Sequence, residues 1–388
     1  MPEFRGSERT LEAADLMRDL VAIPSVNPAL EPGGAGEAAI ADHCAGLLRS
    51  WGFAVEVHEA APGRPSVLAR HGRGAPALLF NGHLDTVGVG GMTVAPFGEP
   101  GADGRYFGRG SCDMKGGDAA LLAAARDLAR SGHPGTVIVA LTADEEHASI
   151  GMADLIARGL RADAAVVCEP TSLAVMPAHK GFVWVEVTIR GRAAHGSRPE
   201  VGIDAVRRMG RFLVELDLLE AEITARDPHP LLGTGSIHAG PIEGGTAPSV
   251  YPDRCTVVVE RRTLPGESPD AVLREIEGVE DRVRARHPDL AFEARVVMDR
   301  PGTEVARSHA LVTGLTAALA ECGETARVEP MTAWVDGALL NEAGTPAVCF
   351  GPGSIAQAHA EDEWVDPDEV ERCARVLITF ARSFLAGG

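Results

Sequence analysis

A histidine and an aspartate two residues apart are the first side chains in this chain whose types and spacing suggest chemistry. His83 and Asp85 follow a short apolar run at residues 77–80, whose length suits a buried strand. On an extended backbone, residues i and i+2 lie on one face. Imidazole is a common zinc ligand, and its second ring nitrogen usually needs an orienting partner. Taken alone, the pair is more typical of a satisfied histidine and a turn aspartate.

Two further apolar runs end in acidic residues. Residues 136–141 are followed by three consecutive carboxylates that include Glu145 and Glu146, and residues 164–168 are followed by Glu169. Grouped carboxylates at the end of a buried strand are destabilising unless a positive charge lies there, although a solvated acidic loop is the simpler alternative. In an open α/β sheet the ligand crevice lies at the carboxyl ends of the strands. The repetition favours a shared site.

An aspartate and a second histidine complete the set. Asp113 lies in a glycine-rich loop before an alanine-rich helical stretch, residues 117–130. Glycine lets the backbone approach an ion closely, but a lone aspartate there is more often a helix cap. His359 lies in a polar loop after the apolar run at residues 347–350. This position again predicts the crevice edge of a sheet.

Five of these residues match the needs of a two-zinc site: the imidazoles of His83 and His359 and the carboxylates of Asp113, Glu146 and Glu169. Two zinc ions about 3.5–4 Å apart would share one bridging carboxylate and one water. In this assignment Asp113 bridges the two ions. His83 and Glu169 complete one metal site. Glu146 and His359 complete the other, and cobalt or manganese could replace zinc.

The two remaining acidic residues also have expected roles. Asp85 would accept a hydrogen bond from the ring nitrogen of His83 that does not bind the metal, and so orient the imidazole. Glu145 lies beside a ligand without being one, which makes it the expected general base for the bridging water.

The bulk composition limits the possible partners. The chain has 388 residues with Lys+Arg 36 and Asp+Glu 55, a net charge of −19. This balance argues against binding nucleic acid or an anionic membrane over a broad surface. Residues 1–10 lack the apolar core of a signal peptide, and no apolar run is long enough to span a bilayer. Seven scattered cysteines are typical of reduced thiols, so we expect a cytoplasmic protein.

The order of elements predicts an α/β fold with an insertion. We expect a domain of residues 1–179 and 299–388, with a mostly parallel central sheet and helices on both faces. A smaller α+β domain, residues 180–298, interrupts it with the order β-α-β-β-α-β and is placed to act as a lid. The expected helices are 11–21, 37–50, 117–130, one ending near 219, 269–286, 309–322 and one from about 367. The expected strands are 54–57, 66–70, 77–80, 136–141, 164–168, 182–190, 236–239, 255–262, 291–298 and 347–350.

Six short stretches, in order along nearly the whole chain, resemble a known family. They are residues 82–87, 108–117, 144–146, 168–170, 194–196 and 358–363. The chain is similar to the zinc amidohydrolases and metallopeptidases that include acetylornithine deacetylase, succinyl-diaminopimelate desuccinylase, aminoacylase and glutamate carboxypeptidase. The resemblance implies a two-zinc catalytic domain, interrupted by a smaller domain that forms a homodimer, and the same ligand roles.

Five substrate-facing roles come mainly from the resemblance. His195 matches a histidine that stabilises the oxyanion, often from the partner subunit, although a turn histidine is as common. Arg262 matches an arginine that binds the substrate carboxylate, and an exposed strand-end arginine is the alternative. Lys180, Ser249 and Gly353 are the other expected substrate contacts.

Departures from the family pattern affect the substrate, not the metals. Ser249 stands where many members have asparagine, Trp334 and Val335 stand where small hydroxyl residues are usual, and Glu260 replaces a common aspartate. We therefore expect a zinc-dependent hydrolase of a small N-acyl amino acid, similar to acetylornithine deacetylase. A dipeptidase or carboxypeptidase would use the same site. A non-catalytic binding or scaffold protein would have lost a ligand or the base, and none is missing.

Overall fold

The fold was taken from a computed structural model, which describes residues 12–387. The expected start of the first helix at Leu11 and the stretch 1–10 lie outside the described residues. The strands are β1 (Ala54–Ala61), β2 (Arg64–Gly72), β3 (Ala77–His83), β4 (Glu99–Pro100), β5 (Tyr106–Phe107), β6 (Thr136–Thr142), β7 (Ala164–Val167), β8 (Ala178–His179), β9 (Gly181–Arg190), β10 (Ser236–Gly244), β11 (Arg254–Thr263), β12 (Ala291–Arg300), β13 (Thr303–Glu304), β14 (Ala347–Cys349) and β15 (Trp364–Val365). The helices are α1 (Ala13–Val21), α2 (Ala38–Ser50), α3 (Gly116–Ser131), α4 (Ile150–Ala157), α5 (Ala205–Thr224), α6 (Pro269–Arg286), α7 (Ala310–Glu321), α8 (Gly337–Glu342) and α9 (Pro367–Leu385).

The chain divides into two compact units. Unit 2 comprises Ala178–Glu304 and Pro330–Trp334, and unit 1 comprises the rest of the described residues. The inserted domain expected from the sequence, residues 180–298, is contained in unit 2. The segment Pro330–Trp334 joins unit 2 because the Met331 amide donates to Ala178 (2.8 Å) and the Trp334 indole donates to Pro301 (3.1 Å).

Unit 1 is built on a six-stranded sheet in the order β1-β2-β6-β3-β7-β14. β3 lies between β6 and β7 and runs parallel to both, and β14 runs parallel to β7. β2 is antiparallel to both of its neighbours. The expected mostly parallel sheet is confirmed, and it brings the carboxyl ends of β3, β6 and β7 together.

Helices cover both faces of this sheet, as expected. Leu78 and Phe80 belong to the large core cluster that includes buried residues of α1, α2, α3, α7 and α9. Leu79 is also fully buried, and its position in the strand turns it to the opposite face. There α4 packs on β1 and β2, and α8 packs on β7 and β14. Both faces of β3 are therefore buried, which explains its continuous apolar run.

Unit 2 is an antiparallel sheet in the order β10-β11-β9-β12 with two helices, α5 and α6, on one face. Along β11 the residues Cys255, Val257 and Val259 are buried, and the residues between them are half-buried. The buried residues pack with Phe212 of α5 and Ile276 of α6. The expected β-α-β-β-α-β order is confirmed.

Two helices were not expected from the sequence, α4 and α8. Ser149 precedes α4 in a left-handed conformation, with φ of +53°, and makes no side-chain cap. Ser149 is a residue type that often precedes a helix, so the sequence carried a start signal there that was not used.

No helix among residues 12–387 is long and apolar enough to cross a membrane.

Candidate metal centre

Three strand ends of unit 1 deliver the predicted histidine and glutamates to one edge. His83 is the last residue of β3, Glu145 and Glu146 follow β6, and Glu169 follows β7. Because β3 lies between the other two strands and parallel to them, their carboxyl ends meet. Asp113 reaches the same place from a tight turn, Ser111–Lys115, directly before α3.

Asp113 lies between the two predicted histidine ligands. Its Oδ1 is 3.2 Å from His83 Nε2, and its Oδ2 is 3.6 Å from His359 Nε2. His359 Nε2 is also 2.9 Å from Glu146 Oε2. Asp113 thus directs one oxygen toward each imidazole, which is the arrangement that a bridging carboxylate needs.

Two groups of three side chains in the described part of the chain have the spacing of a metal site, and both include His83. One group adds Asp113 and Glu146, and the other adds Glu145 and Glu169. Within each group the ligand atoms lie within 4.8 Å of one another. Glu145, expected only as a base, is therefore as close to His83 and Glu169 as a ligand would be.

The electrostatics of the group favour a bound cation. Burial raises the pKa of Glu145 and of Glu169 well above the usual range, and repulsion by neighbouring carboxylates adds to the effect. Burial also raises the pKa of Glu146. Glu146 Oε1 and Glu169 Oε1 are buried and have no hydrogen-bond partner among the described residues. Carboxylate oxygens in this state fit a divalent cation.

The carboxylate of Asp85 does not make the expected hydrogen bond to His83. The Nδ1 atom of His83 is 2.9 Å from the backbone oxygen of Asp85 and 3.7 Å from its carboxylate. The carboxylate instead accepts the backbone N–H groups of Glu145 (3.0 Å) and Glu146 (3.2 Å). The orienting bond to the imidazole is still made, but by the main chain, because the side chain is engaged with the turn after β6.

Glu363 is a supporting residue to which sequence reasoning gave no role. Its Oε1 accepts the N–H groups of Cys112 and Asp113, each at 3.0 Å. Its Oε2 pairs with Arg109 Nη1 at 2.6 Å. Glu363 is fully buried and holds the turn that carries Asp113. The signal was available, since Glu363 lies in one of the six family-like stretches.

Gly353 lies in unit 1 against the Asp113 turn. It is buried with φ of +79°, and a Cβ at this position would lie 2.7 Å from Cys112 Sγ. Its carbonyl accepts the Ser172 N–H at 2.6 Å. Only glycine suits this close approach. Its expected contact with substrate remains a prediction.

The other expected substrate residues belong to unit 2, in two places. His195 and Ser249 are exposed; the Ser249 carbonyl accepts the Gly196 N–H at 2.7 Å, and His195 Nδ1 lies 2.7 Å from Ser197 Oγ. Their roles remain predictions.

Lys180 and Arg262 line a cavity of about 400 Å³, which we call the cationic cavity. Its other lining residues are Leu232, Ser236, Glu260, Pro330, Met331, Thr332 and Ala333. Lys180 Nζ donates to Thr234 O at 2.5 Å, and Arg262 Nη2 donates to Thr332 O at 3.3 Å. Burial, together with the neighbouring arginines, lowers the pKa of Lys180.

The sequence matches a known protein family. The profile described as peptidase family M20/M25/M40 matches residues 79–383, well over half of the chain. Among curated proteins, acetylornithine deacetylase of Myxococcus xanthus is 33% identical over 323 residues, covering 81% of this chain and 82% of that protein.

Solved structures share the fold. A tripeptidase from Staphylococcus aureus superposes with a TM-score of 0.79 at 19% identity, covering 97% of this chain and 99% of that chain. A Bacillus subtilis protein, described as a dinuclear metal binding peptidase from the M20 family, superposes with a TM-score of 0.74 at 17% identity. That match covers 96% of this chain and 98% of the other.

Proposed function

The chain belongs to the peptidase family M20/M25/M40, and from this membership we propose that it removes the acyl group from an N-acyl amino acid. It is a hydrolase that acts on amide bonds. The observation that carries the proposal is the buried group around Asp113, with Glu145 beside it. The acetylornithine deacetylase of Myxococcus xanthus supports the deacylase reading.

The residues around Asp113 would hold two divalent cations, which we propose to be zinc. Asp113 would bridge them, since each of its oxygens faces one imidazole. His83 and Glu169 would complete one site. Glu146 and His359, 2.9 Å apart, would complete the other. Such ions lower the pKa of a coordinated water and polarise the scissile carbonyl.

Glu145 is the proposed general base. Its side chain lies within ligand distance of His83 and Glu169, while its own backbone N–H is fixed by Asp85. From there the carboxylate would take a proton from the attacking water and pass it to the leaving amine. This double role needs a carboxylate that is held in place but not fully used as a ligand.

We assign substrate recognition to the cationic cavity and to three further residues, His195, Ser249 and Gly353. Arg262 would bind the α-carboxylate with two parallel hydrogen bonds, which lysine cannot do. Lys180 would add a positive charge, and Ser249 and Gly353 would supply further polar contacts. His195 would donate to the oxyanion, and we expect it to act across a homodimer formed by the inserted domain.

A peptidase is the second candidate, and the fold shared with the Staphylococcus aureus tripeptidase favours it. Such an enzyme would use the same base on a peptide bond. The two candidates differ in what lies on the acyl side of the scissile amide, since a peptidase must accept a charged or extended amino-acid residue there.

A substrate panel tests the proposal. Metal-loaded enzyme is incubated with N-acetyl amino acids, N-succinyl amino acids and dipeptides, and the released amine is quantified. We expect the N-acyl amino acids to be hydrolysed with the higher kcat/KM. A preference for dipeptides would replace deacylase by peptidase. No hydrolysis of any of them by enzyme with verified metal content would favour a binding protein.

A further inference from the structure

The turn after β6 carries both Glu145 and Glu146, and its backbone is held in an unusual conformation. Asp144 has φ of +67° although it is not a glycine. Its carbonyl oxygen accepts the N–H groups of Ala148 (3.0 Å) and Ser149 (2.6 Å). Few non-glycine residues adopt this conformation, and it persists where the surroundings over-determine it. The contacts of Asp144 therefore decide where the two glutamates point.

A buried arginine holds one side of this turn. Arg64 Nη2 donates to Asp144 Oδ1 at 2.9 Å. The same guanidinium binds Glu37 through Nε (2.7 Å) and Nη2 (2.6 Å). The Asp144 N–H in turn donates to Glu37 Oε1 at 3.2 Å. The three side chains are at most 10% exposed, so these charged hydrogen bonds are shielded from water and define one geometry.

A buried amide holds the other side. Asn27 Nδ2 donates to Asp85 Oδ2 at 2.8 Å and to Asp144 Oδ1 at 3.0 Å. Its Oδ1 accepts the Ala29 N–H at 2.9 Å, which leaves the NH₂ group to face the two carboxylates. The backbone of Asn27 is itself anchored, because its N–H donates to Thr86 O at 2.9 Å. Asn27 thus joins the segment after β3 to the turn after β6.

The last link reaches the predicted base. The carboxylate that Asn27 holds, Asp85, accepts the N–H groups of Glu145 and Glu146. A chain of direct hydrogen bonds inside unit 1 therefore runs from Asn27 to the peptide groups of both glutamates. Loss of the amide would remove the one side chain among the described residues that donates to both Asp85 and Asp144, and would leave Asp144 bound to Arg64 and Asp85 bound to the two peptide groups. The segment after β3 would then no longer be tied through this amide to the turn after β6.

We propose that Asn27 and Arg64 are positioning residues for the turn that carries Glu145. They act through Asp85 and Asp144, which they hold by hydrogen bonds. The inference rests on the proposed function in one respect, the role of Glu145 as base. A shift of the base by 1 Å can lower a rate by about 10²-fold even when the mutated residue is remote from the chemistry. Residues that support metal ligands affect metal affinity by about 10–100-fold.

The test compares Asn27→Ala with a matched control, Asn341→Ala. Asn341 makes the same kind of bonds within unit 1, donating to Ala347 O (3.0 Å) and accepting from Ala347 N (2.9 Å), but its bonds do not lead to the glutamates. For each variant we would measure kcat, KM, Tm and the Kd for Zn²⁺ added to metal-free protein. Both variants should lower Tm.

Only Asn27→Ala should change the site. We expect its kcat to fall by about 10²-fold with KM little changed, and its Kd for Zn²⁺ to rise about 10-fold. Arg64→Lys serves as a second variant if Asn27→Ala does not fold. Lysine keeps the positive charge but cannot form the two parallel hydrogen bonds that Arg64 makes to Glu37. We therefore expect kcat to fall by about 10-fold.

The possible results separate this inference from the proposed function. If Asn27→Ala keeps the wild-type kcat and Zn²⁺ affinity despite a lower Tm, the residue is only structural and the inference fails. If Asn341→Ala loses as much kcat, the effect is general destabilisation and the inference also fails. If the wild-type protein hydrolyses no amide, the proposed function fails. The Zn²⁺ titration then decides, since equal affinities in all variants would overturn the inference.

Discussion

The carboxylate group around Asp113 in unit 1 and the cationic cavity of unit 2 hold their charges in different ways. In unit 1, Glu146 and Glu169 each have a buried oxygen without a hydrogen-bond partner among the described residues. In unit 2, the cations of Lys180 and Arg262 each already donate to a backbone oxygen and remain partly exposed. The first region thus has carboxylate oxygens without a partner. In the second region the cations have partners, which include Glu260, whose Oε1 lies 3.9 Å from Arg262 Nη1.

This difference separates chemistry from selectivity. Buried carboxylates that lack donors are strongly destabilising unless cations are bound, so the group in unit 1 has few alternative uses. A guanidinium has five N–H donors, and Arg262 uses few of them on the protein. The cationic cavity can therefore receive anionic ligands of many shapes. We propose that the reaction takes place in unit 1, and we expect the choice of substrate to follow from unit 2.

Removal of metal should have the largest effect. Chelation should abolish amide hydrolysis, and zinc or cobalt should restore it, because the water and the carbonyl lose their activation without the ions. Activity is followed by release of the amine. The same chelator saturated with zinc beforehand is the control. Undiminished activity in a verified metal-free preparation would contradict the two-metal mechanism.

Replacement of the base should come next. Glu145→Gln should lower kcat by about 10²-fold or more, because proton transfer to a positioned group contributes this much. Its metal content should stay at the wild-type level, whereas Glu146→Gln should weaken one metal site. Glu361→Gln, at an exposed glutamate of the same unit, is the matched control. A fully active Glu145→Gln enzyme would show that the base is another residue.

The oxyanion donor should follow. His195→Ala should lower kcat by about 10²–10³-fold, the usual effect of losing one such donor. His238→Ala, at an exposed histidine of the same unit, should have no effect. Mixing His195→Ala chains with Glu145→Gln chains tests delivery across a dimer. Recovered activity in mixed dimers supports it, and inactive dimers of confirmed mixed composition count against it.

The carboxylate contact should have the smallest effect of the four. Amidation of the substrate α-carboxylate should weaken transition-state binding by about 2 kcal/mol, the low end for unpairing a buried charge. The low end is expected because the Arg262 side chain is 23% exposed, so water can partly replace the lost carboxylate. Arg262→Ala should reduce the kcat/KM gap between acid and amide, while Arg254→Ala, exposed on the same strand, should not. Equal kcat/KM for acid and amide in the wild-type enzyme would refute the contact.

Elements with strong local signals could be predicted from sequence. The helix α6 has the expected bounds, because Ser268 caps it and Pro269 occupies its first turn. The apolar runs before His83 and Glu169 are strands of a parallel sheet, so their ends had to lie together. The apolar runs identify the strands, and the carboxyl ends of parallel strands lie at one edge of a sheet. The order of the strands in the sheet was seen only in the structure.

Contacts between distant loops could not be predicted. Asn27 lies 58 residues before Asp85, and no local pattern pairs a loop amide with a strand-end carboxylate. The role of Asp85 was misjudged for the same reason. Spacing indicated a contact with His83, but it could not tell that the backbone oxygen would make it. Side-chain partners depend on tertiary packing, which periodicity does not encode.

Anomalous diffraction at the zinc edge, from crystals of the metal-loaded enzyme, would locate the bound ions. If two metals share Asp113, two zinc peaks per chain should flank this residue. One peak should lie nearest His83 and Glu169, and the other nearest Glu146 and His359. A single peak, or two peaks that do not share Asp113, would contradict the two-metal assignment.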